Sequence, residues 1–186
     1  MGEAMKDLPS AIIVMGVSGA GKTTIASLLA DRLGFAFEDA DGFHPPANVE
    51  KMKAGIPLTD EDRVPWLTAI ATHIAKCRAH GGHTIIACSA LRRAYRDILV
   101  AGRADATRIV YLKGEKPLIA ERLATRRGHF MPSTLLDSQL ATLEEPTDEE
   151  HAIVVSVAEP PERIVDQIVR SLVADDADPS LRQGRP

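Results

Sequence analysis

The chain has little cysteine and no long hydrophobic run, and each absence excludes a class of protein. Its two cysteines, Cys77 and Cys88, form no C-x-x-C pair and do not cluster with histidine at ligand spacing. We therefore expect small apolar core residues rather than a disulfide or a metal site. No apolar stretch reaches the length of a membrane-spanning helix, and residues 1–10 carry no signal-peptide core. A reduced, cytoplasmic setting is expected.

An excess of positive charge is also missing. The formal net charge is −4, which argues against a general nucleic-acid binder, whose surface is usually basic. With 186 residues, 45% of them hydrophobic, and no internal repeat, the chain is expected to form one domain with a substantial core. We place this domain at residues 11–174, after an N-terminal extension at 1–10. The polar segment 175–186 is expected to be a flexible tail.

One glycine-rich segment fits the phosphate-binding pattern G-x-x-x-x-G-K-[ST]. It reads Gly16-Val17-Ser18-Gly19-Ala20-Gly21-Lys22-Thr23, with Thr24 behind it. A strand-like run precedes it and a helical pattern follows, which is the context that the pattern requires. The glycines allow a tight turn whose N–H groups face a polyphosphate, next to a helix N-terminus. We expect these residues to bind ATP, with Lys22 at the β- and γ-phosphates and Thr23 on Mg²⁺. The alternative is a plain glycine-rich turn.

Short apolar strands alternate with helices along the chain, which predicts right-handed crossovers and a parallel sheet. The fold class is therefore α/β, a P-loop NTPase three-layer α/β/α fold with a five-stranded parallel sheet and a small helical lid at about 122–140. We predict strands at 11–15, 35–38, 83–88, 108–112 and 152–156. We predict helices at 23–33, 48–54, 92–100, 116–127, 133–143 and 161–173, and one that begins at Pro65, after a charged turn at 59–63, and ends before Gly81.

Two carboxylates follow the second predicted strand, at the sheet edge where ligands bind in such folds. Asp39 and Asp41 are two residues apart, so an extended backbone puts both side chains on one side. The third strand ends in Ala87-Cys88-Ser89-Ala90, without the usual Walker B acid, which adds weight to Asp41 as a Mg²⁺ ligand or as the base for an attacking hydroxyl. A solvated acidic turn, or a carboxylate that caps the next element, is the alternative.

Basic and polar side chains supply candidates for the rest of the site. Arginines follow the third and fourth strands, and Arg122 and Arg126 share a helix face from which they can close over ATP. A solvated basic face is the alternative for each arginine. His44 is a candidate for a substrate hydrogen bond or for a turn-stabilising role, and His129 for a lid residue or an exposed loop residue. Further candidates for a polar or anionic substrate are Asn48, Lys51, Arg63 and Arg92.

Motifs of two other nucleotide-binding classes are missing. The chain has no N-K-x-D segment for guanine and no L-S-G-G-Q segment of transporter ATPases. Its one D-x-x-G match, Asp39–Gly42, comes too soon after the phosphate loop for a GTPase. A nucleotide-dependent switch of another kind stays open as a rival to an enzyme.

Taken together, the motifs resemble those of the small gluconate kinases, which are related to shikimate kinase and adenylate kinase. Beyond the phosphate loop, the resemblance is carried by these blocks, within residues 12–146: Asp41-Gly42-Phe43-His44-Pro45, Asn48, Lys51-Met52, Ile56 to Arg63, Pro65-Trp66-Leu67, Cys88 to Asp97, Arg126 to Pro132 and Leu136 to Gln139. The resemblance implies ATP-dependent phosphorylation of D-gluconate at its 6-hydroxyl with Mg²⁺, a mobile lid, and often a homodimer.

The residues and the resemblance lead to one hypothesis. The predicted catalytic residues are Lys22, Asp41 and Arg122, and Thr23 and Asp41 are the predicted metal ligands. ATP is expected to contact residues 16–24 with Arg122 and Arg126. The expected substrate contacts are Asp41, His44, Lys51, Arg63, Arg92 and His129, and which of them meets the carboxylate stays open. The main rival is a related kinase for shikimate, a nucleoside or another sugar acid.

Overall fold

A parallel five-stranded sheet forms the middle layer of the computed structural model, which describes residues 8–125 and 133–177. Its strands are β1 (Ala11–Met15), β2 (Ala36–Asp39), β3 (Thr84–Ala87), β4 (Thr107–Lys113) and β5 (Ile153–Ser156). They are arranged in the order β2-β3-β1-β4-β5, so β1 is central. The predicted α/β class and five-stranded parallel sheet are confirmed.

Helices cover both faces of the sheet, and β1 explains why. Every residue of β1 is fully buried, as expected for a central parallel strand. Ile12 and Val14 pack in one core with α1 (Lys22–Leu33) and α7 (Pro161–Ala177), whereas Ile13 and Met15 pack in another with α3 (Asp60–Ala79) and α4 (Arg93–Val100). The remaining helices are α2 (Pro46–Lys53), α5 (Lys116–Thr125) and α6 (Ser133–Thr142). Successive side chains of one strand thus create two cores.

The start of α3 corrects a prediction. The sequence predicts a charged turn at 59–63 and a helix from Pro65, but the helix begins at Asp60. Thr59 caps it: the Thr59 hydroxyl accepts the Asp62 N–H at 3.3 Å, and the Asp62 carboxylate accepts the Thr59 N–H at 2.9 Å. Pro65 lies in the second turn, where it removes one hydrogen bond without ending the helix. The charged residues 60–63 therefore belong to a helix N-terminus.

Other predicted boundaries agree to within a few residues. Helix α2 begins at Pro46 rather than Asn48, because proline suits the first helical position. Trp66, Ile70 and Ile74 of α3 are buried, whereas Cys77 is only half-buried, so the predicted core position is confirmed for Cys88 alone of the two cysteines. Both cysteines are free thiols, and no helix in residues 8–125 or 133–177 has the length and apolar character needed to span a membrane.

Candidate active site

The phosphate loop, residues 16–23, connects the central strand to the first turn of α1. It turns tightly, with the Ala20 N–H donating to the Val17 carbonyl at 3.2 Å, and Gly21 is the N-cap residue of α1. The Lys22 ammonium folds back and donates to the Val17 carbonyl at 3.2 Å. The backbone of the loop is also anchored to the end of β3, because the Gly16 N–H donates to the Ser89 carbonyl at 3.4 Å.

Two glycines of this loop are required by its packing as well as by its turn. Gly16 has φ +147°, and a Cβ there would lie 3.0 Å from the Leu112 carbonyl oxygen. Gly19 has φ +83°, and a Cβ there would lie 2.8 Å from Cγ of Leu123 on α5. Any larger residue would therefore both strain the backbone and push against β4 or α5.

A side chain from α6 also holds the phosphate loop. Oε1 of Gln139 accepts the backbone N–H of Ser18 at 2.7 Å, across 121 positions of sequence. Gln139 lies within one of the motif blocks, but the sequence predicts no role for it, because a contact to a loop N–H leaves no signature in the spacing of residues. This bond brings a helix of the predicted lid against the nucleotide-binding loop.

The two aspartates after β2 have different surroundings. Oδ1 of Asp39 accepts the Asp41 N–H at 3.0 Å, so Asp39 caps the short 3₁₀ turn Ala40–Phe43. This is the capping role that the sequence left open for it. The Asp41 side chain is exposed at the carboxyl end of the sheet, where a substrate can approach it.

The end of β3 lies between the phosphate loop and the end of β2. Ala87 of β3 is paired with Val14 of β1 and with Asp39 of β2, and the N–H of the next residue, Cys88, donates to the Val14 carbonyl at 3.1 Å. Burial raises the pKa of the Cys88 thiol to about 12, so the thiol stays protonated and inert. The phosphate loop and the end of β2 therefore meet at the end of β3.

Thr23 and Asp41 supply hard oxygen donors of the kind that Mg²⁺ prefers. Thr23 is exposed in the first turn of α1, and Asp41 is exposed after β2. Within residues 8–125 and 133–177, no group of three or more His, Cys, Asp or Glu side chains could hold a metal by itself. Such a donor set fits an ion that completes its coordination with phosphate oxygens and water rather than a protein-enclosed metal.

His44 lies flat against a buried indole. The rings of His44 and Trp66 stack with centroids 4.3 Å apart and planes 13° apart, and the Trp66 Nε1–H donates to the Ala40 carbonyl at 2.7 Å. Asn48, which is buried, places its Nδ2 3.4 Å from Nδ1 of His44. Burial lowers the pKa of His44, Asp41 raises it less, and Arg63 lowers it. His44 is therefore a neutral ring held beside Asp41.

Lys51 is committed to an ion pair. Its ammonium donates to both carboxylate oxygens of Asp62, at 2.7 and 2.8 Å. The same carboxylate completes the cap of α3, and the Lys51 bond is the main cause of its lowered pKa. Lys51 thus stabilises the junction of α2 with α3.

Four residues at the N-terminal ends of α3 and α4 form a compact group, which we call the acceptor cluster: Asp60, Arg63, Arg92 and Tyr95. The Asp60 carboxylate accepts from the Tyr95 hydroxyl and from the Arg92 guanidinium, both at 2.5 Å, and lies 3.5 Å from the Arg63 guanidinium. The Cζ atoms of Arg63 and Arg92 lie 5.8 and 5.9 Å from the Tyr95 ring centroid. The sequence predicts a ligand-binding role for the two arginines but none for Asp60 and Tyr95.

The remaining arginines have other surroundings. The Arg122 guanidinium on α5 donates to the Val157 carbonyl, just after β5, at 2.6 Å. Arg96 is 1% exposed, and pairs with Glu150 while donating to the carbonyls of Ala90 and Glu144 at 3.1 and 2.9 Å. It holds the loop after β3 from within and does not face a ligand. Arg126 and His129 lie outside the described residues.

A phosphate loop on a central parallel strand, with an exposed carboxylate and basic side chains at the same sheet edge, defines a P-loop kinase. Residues 12–146 match the family model described as an AAA domain. A crystal structure of a gluconokinase from Sinorhizobium meliloti 1021 superposes with a TM-score of 0.84 and 41% identity, over 95% of this chain and 98% of that one. Shikimate kinase from Aquifex aeolicus vf5, with a TM-score of 0.56 and 17% identity over 90% of this chain and 98% of that one, shares the fold.

Curated relatives give the family. The chain is 46% identical over 170 residues to the gluconokinase of Gluconobacter oxydans (strain 621H), covering 90% of this chain and 94% of that protein. It is 42% identical over 154 residues to the thermoresistant gluconokinase of Escherichia coli (strain K12), covering 82% and 87%. The chain belongs to the gluconokinase family.

Proposed function

We propose that the protein transfers the γ-phosphoryl group of ATP to the 6-hydroxyl of D-gluconate, giving 6-phospho-D-gluconate and ADP. The family supports this reaction, and the site contains its parts. The observation that carries the proposal is the pairing of β1 and β2 with β3, because it brings a phosphate-binding loop with its lysine and an exposed carboxylate to one sheet edge. Phosphoryl transfer needs a donor side and an acceptor side in one site.

On the donor side, residues 16–24 bind the triphosphate through loop N–H groups, the α1 N-terminus and the Lys22 ammonium. Releasing the bond from Lys22 to the Val17 carbonyl lets the ammonium turn to the β- and γ-phosphates. Thr23 and Asp41 would hold Mg²⁺, which supplies charge neutralisation at the phosphates when bound.

On the acceptor side, Asp41 orients the attacking hydroxyl and accepts its proton. His44 offers a neutral ring that can hydrogen-bond a substrate hydroxyl, supported by Asn48 and Trp66. Arg63 and Arg92 supply positive charge for an anionic acceptor. Lys51 acts through Asp62 on the shape of this wall, since its ammonium is already bound twice.

The segment at about 122–140 is the proposed lid of a single kinase domain at 11–174. The bond from Ser18 to Gln139 supports this, because it links α6 to the phosphate loop. Arg122 and Arg126 are assigned to ATP from the lid side, with Arg122 stabilising transferred charge, and His129 to the substrate. The N-terminal extension, the tail, the homodimer and the cytoplasmic setting are kept as proposals.

The substrate proposal is tested by measuring ADP release with a panel of acceptors that contains gluconate, shikimate, nucleosides and other sugar acids. Gluconate should give the highest kcat/KM. Preference for another acceptor would replace the substrate, and slow hydrolysis unaffected by any acceptor would favour a nucleotide-dependent switch.

The role of Asp41 is tested by Asp41→Asn. We expect kcat to fall by at least about a hundredfold, the scale of a lost general base, and by far more than ATP binding is weakened. Asp31→Asn on the exposed side of α1 removes an equal charge far from the site and should leave kcat unchanged. Near-normal turnover in Asp41→Asn would remove Asp41 from its proposed role.

A further inference from the structure

The acceptor carboxylate needs a cation, and the contacts of the candidates narrow the choice. The Lys51 ammonium donates to both oxygens of Asp62, and the His44 ring is stacked on Trp66 with its Nδ1 3.4 Å from Asn48. Arg63 and Arg92 remain, because each donates to Asp60 from one terminal nitrogen and its guanidinium carries further N–H groups. A guanidinium is also the group that matches a carboxylate in two parallel hydrogen bonds.

Both arginines depend on one shared partner. Asp60 is the first residue of α3, and Arg92 is the residue just before α4, so the Asp60–Arg92 pair joins two helix N-termini. The Tyr95 hydroxyl donates to the other oxygen of Asp60. Burial, followed by this hydrogen bond, raises the pKa of Tyr95, which keeps the donor proton on the phenol. These bonds fix the Asp60 carboxylate, while the side chains of Arg63 and Arg92 stay 31% and 40% exposed.

The charge of the acceptor cluster suits a single anion. Two guanidiniums and one carboxylate leave one positive charge in excess. Asp60 also restricts the two side chains, since either arginine without it would be a long, freely rotating chain. The cluster also lies where it can bind the end of the acceptor that is remote from the reacting hydroxyl. The His44 N–H donates to the Asp41 carbonyl at 3.3 Å, and Asn48, whose Nδ2 is 3.4 Å from the His44 ring, donates to the Asp62 carbonyl at 2.8 Å. His44 and Asn48 therefore connect the proposed base with the start of α3, where the cluster lies. Gluconate carries its 6-hydroxyl and its carboxylate at opposite ends of its carbon chain.

We propose that Asp60 and Tyr95 are positioning residues that hold Arg92 and Arg63 as the binding site for the acceptor carboxylate. This inference rests on the proposed function. It selects the carboxylate-binding group from the candidates and adds two residues that themselves do not touch the substrate. It also predicts that Asp60 strengthens the binding of the substrate anion and does not compete with it for the arginines.

The direct test is steady-state kinetics of Asp60→Asn and Tyr95→Phe with gluconate and ATP varied separately. Each variant should raise KM for gluconate about tenfold, the scale of a lost hydrogen bond to a charged group, with kcat and KM for ATP changed less than about twofold. Arg92→Gln should raise KM for gluconate further. Asp60→Glu, which restores the carboxylate, should recover part of the loss.

Matched controls exist for both positions. Glu61→Gln removes the same charge from the same turn of α3, and so reports the electrostatic effect on the helix N-terminus alone. Tyr111→Phe removes the hydroxyl of another buried tyrosine, which is 3.3 Å from Glu145 on a different part of the fold. Neither control should change KM for gluconate.

A second readout separates carboxylate binding from general damage to the site. Glucitol replaces the carboxylate of gluconate by a neutral hydroxymethyl group, so its inhibition constant should not change in Arg92→Gln, Asp60→Asn or Tyr95→Phe. Equal weakening of gluconate and glucitol would overturn the inference, as would an unchanged or lowered KM for gluconate in Asp60→Asn. If Asp60→Asn does not fold, Tyr95→Phe decides by the same criteria. A wild-type protein without activity on gluconate would instead refute the proposed function.

Discussion

The two sides of the candidate site are built in different ways. On the donor side, one uninterrupted segment, residues 16–24, presents backbone groups whose positions follow from glycine and from a helix N-terminus. On the acceptor side, the end of β2 and the starts of α3 and α4 each contribute side chains. The first side is specified by neighbours in sequence, whereas the second exists only after three segments have packed together. Variants should therefore damage the two sides in different ways.

The largest expected effect is on the donor side, where Lys22→Ala should lower kcat/KM by about a thousandfold, or about 4 kcal/mol, because it removes a cation from the transferring phosphoryl group. Stability should change little, since Lys22 is only half-buried. The measurement is ADP release together with urea unfolding. Lys53→Ala, at an exposed lysine of α2, is the matched control. A loss confined to KM for gluconate would contradict the donor role.

The next effect should fall on the acceptor side as lost stability. Arg96→Leu should lower the free energy of unfolding by about 3–5 kcal/mol, because Glu150 would be left without its partner in the interior. Trp66 fluorescence during urea unfolding measures this, since Trp66 is the single tryptophan. Arg93→Leu breaks only an exposed pair with Glu149, and should lower the free energy of unfolding far less. Equal losses in the two variants would show that burial of the Arg96 pair does not matter.

A smaller effect tests whether the backbone conformation of the phosphate loop requires glycine. Gly19→Ala should cost about 1–2 kcal/mol for a left-handed residue, in addition to the contact with Leu123, and should raise KM for ATP. Leu123→Ala in the same chain removes the contact but not the backbone strain. The double variant should therefore recover only part of the loss. Complete recovery of KM for ATP would show that packing, and not φ, requires glycine here.

The smallest expected effect is the titration of His44. Because burial lowers its pKa, the folded state binds this proton less readily than the unfolded state. The contribution of His44 to stability should therefore be complete above about pH 6.5 and decrease as the pH falls through that value towards the folded pKa. Trp66 fluorescence should report the protonation of the stacked ring, with a midpoint below pH 6.5. His44→Gln should abolish this transition, and a midpoint above pH 6.5 would contradict the direction.

The fold was predicted accurately from the sequence where a pattern of neighbouring residues determines the local structure. Alternating apolar strands and helices predicted the parallel sheet, and glycine spacing predicted the phosphate loop. The start of α3 was wrong because Pro65 received more weight than the Thr59–Asp62 capping pair, although that pair was visible in the sequence. The role of Asp39 as a cap was one of two open alternatives, which the hydrogen bond to Asp41 decided.

The sequence by itself determined the phosphate loop and the order of strands and helices, since backbone conformation depends on neighbouring residues. Only the tertiary structure decided which charges are free to meet a ligand. Three cations lie in segments that the sequence places near the site: Lys51, Arg92 and Arg96. The carboxylates that bind them are 11, 32 and 54 positions away in the sequence. Ion pairing and burial depend on distances across the fold, and no spacing along the chain encodes them.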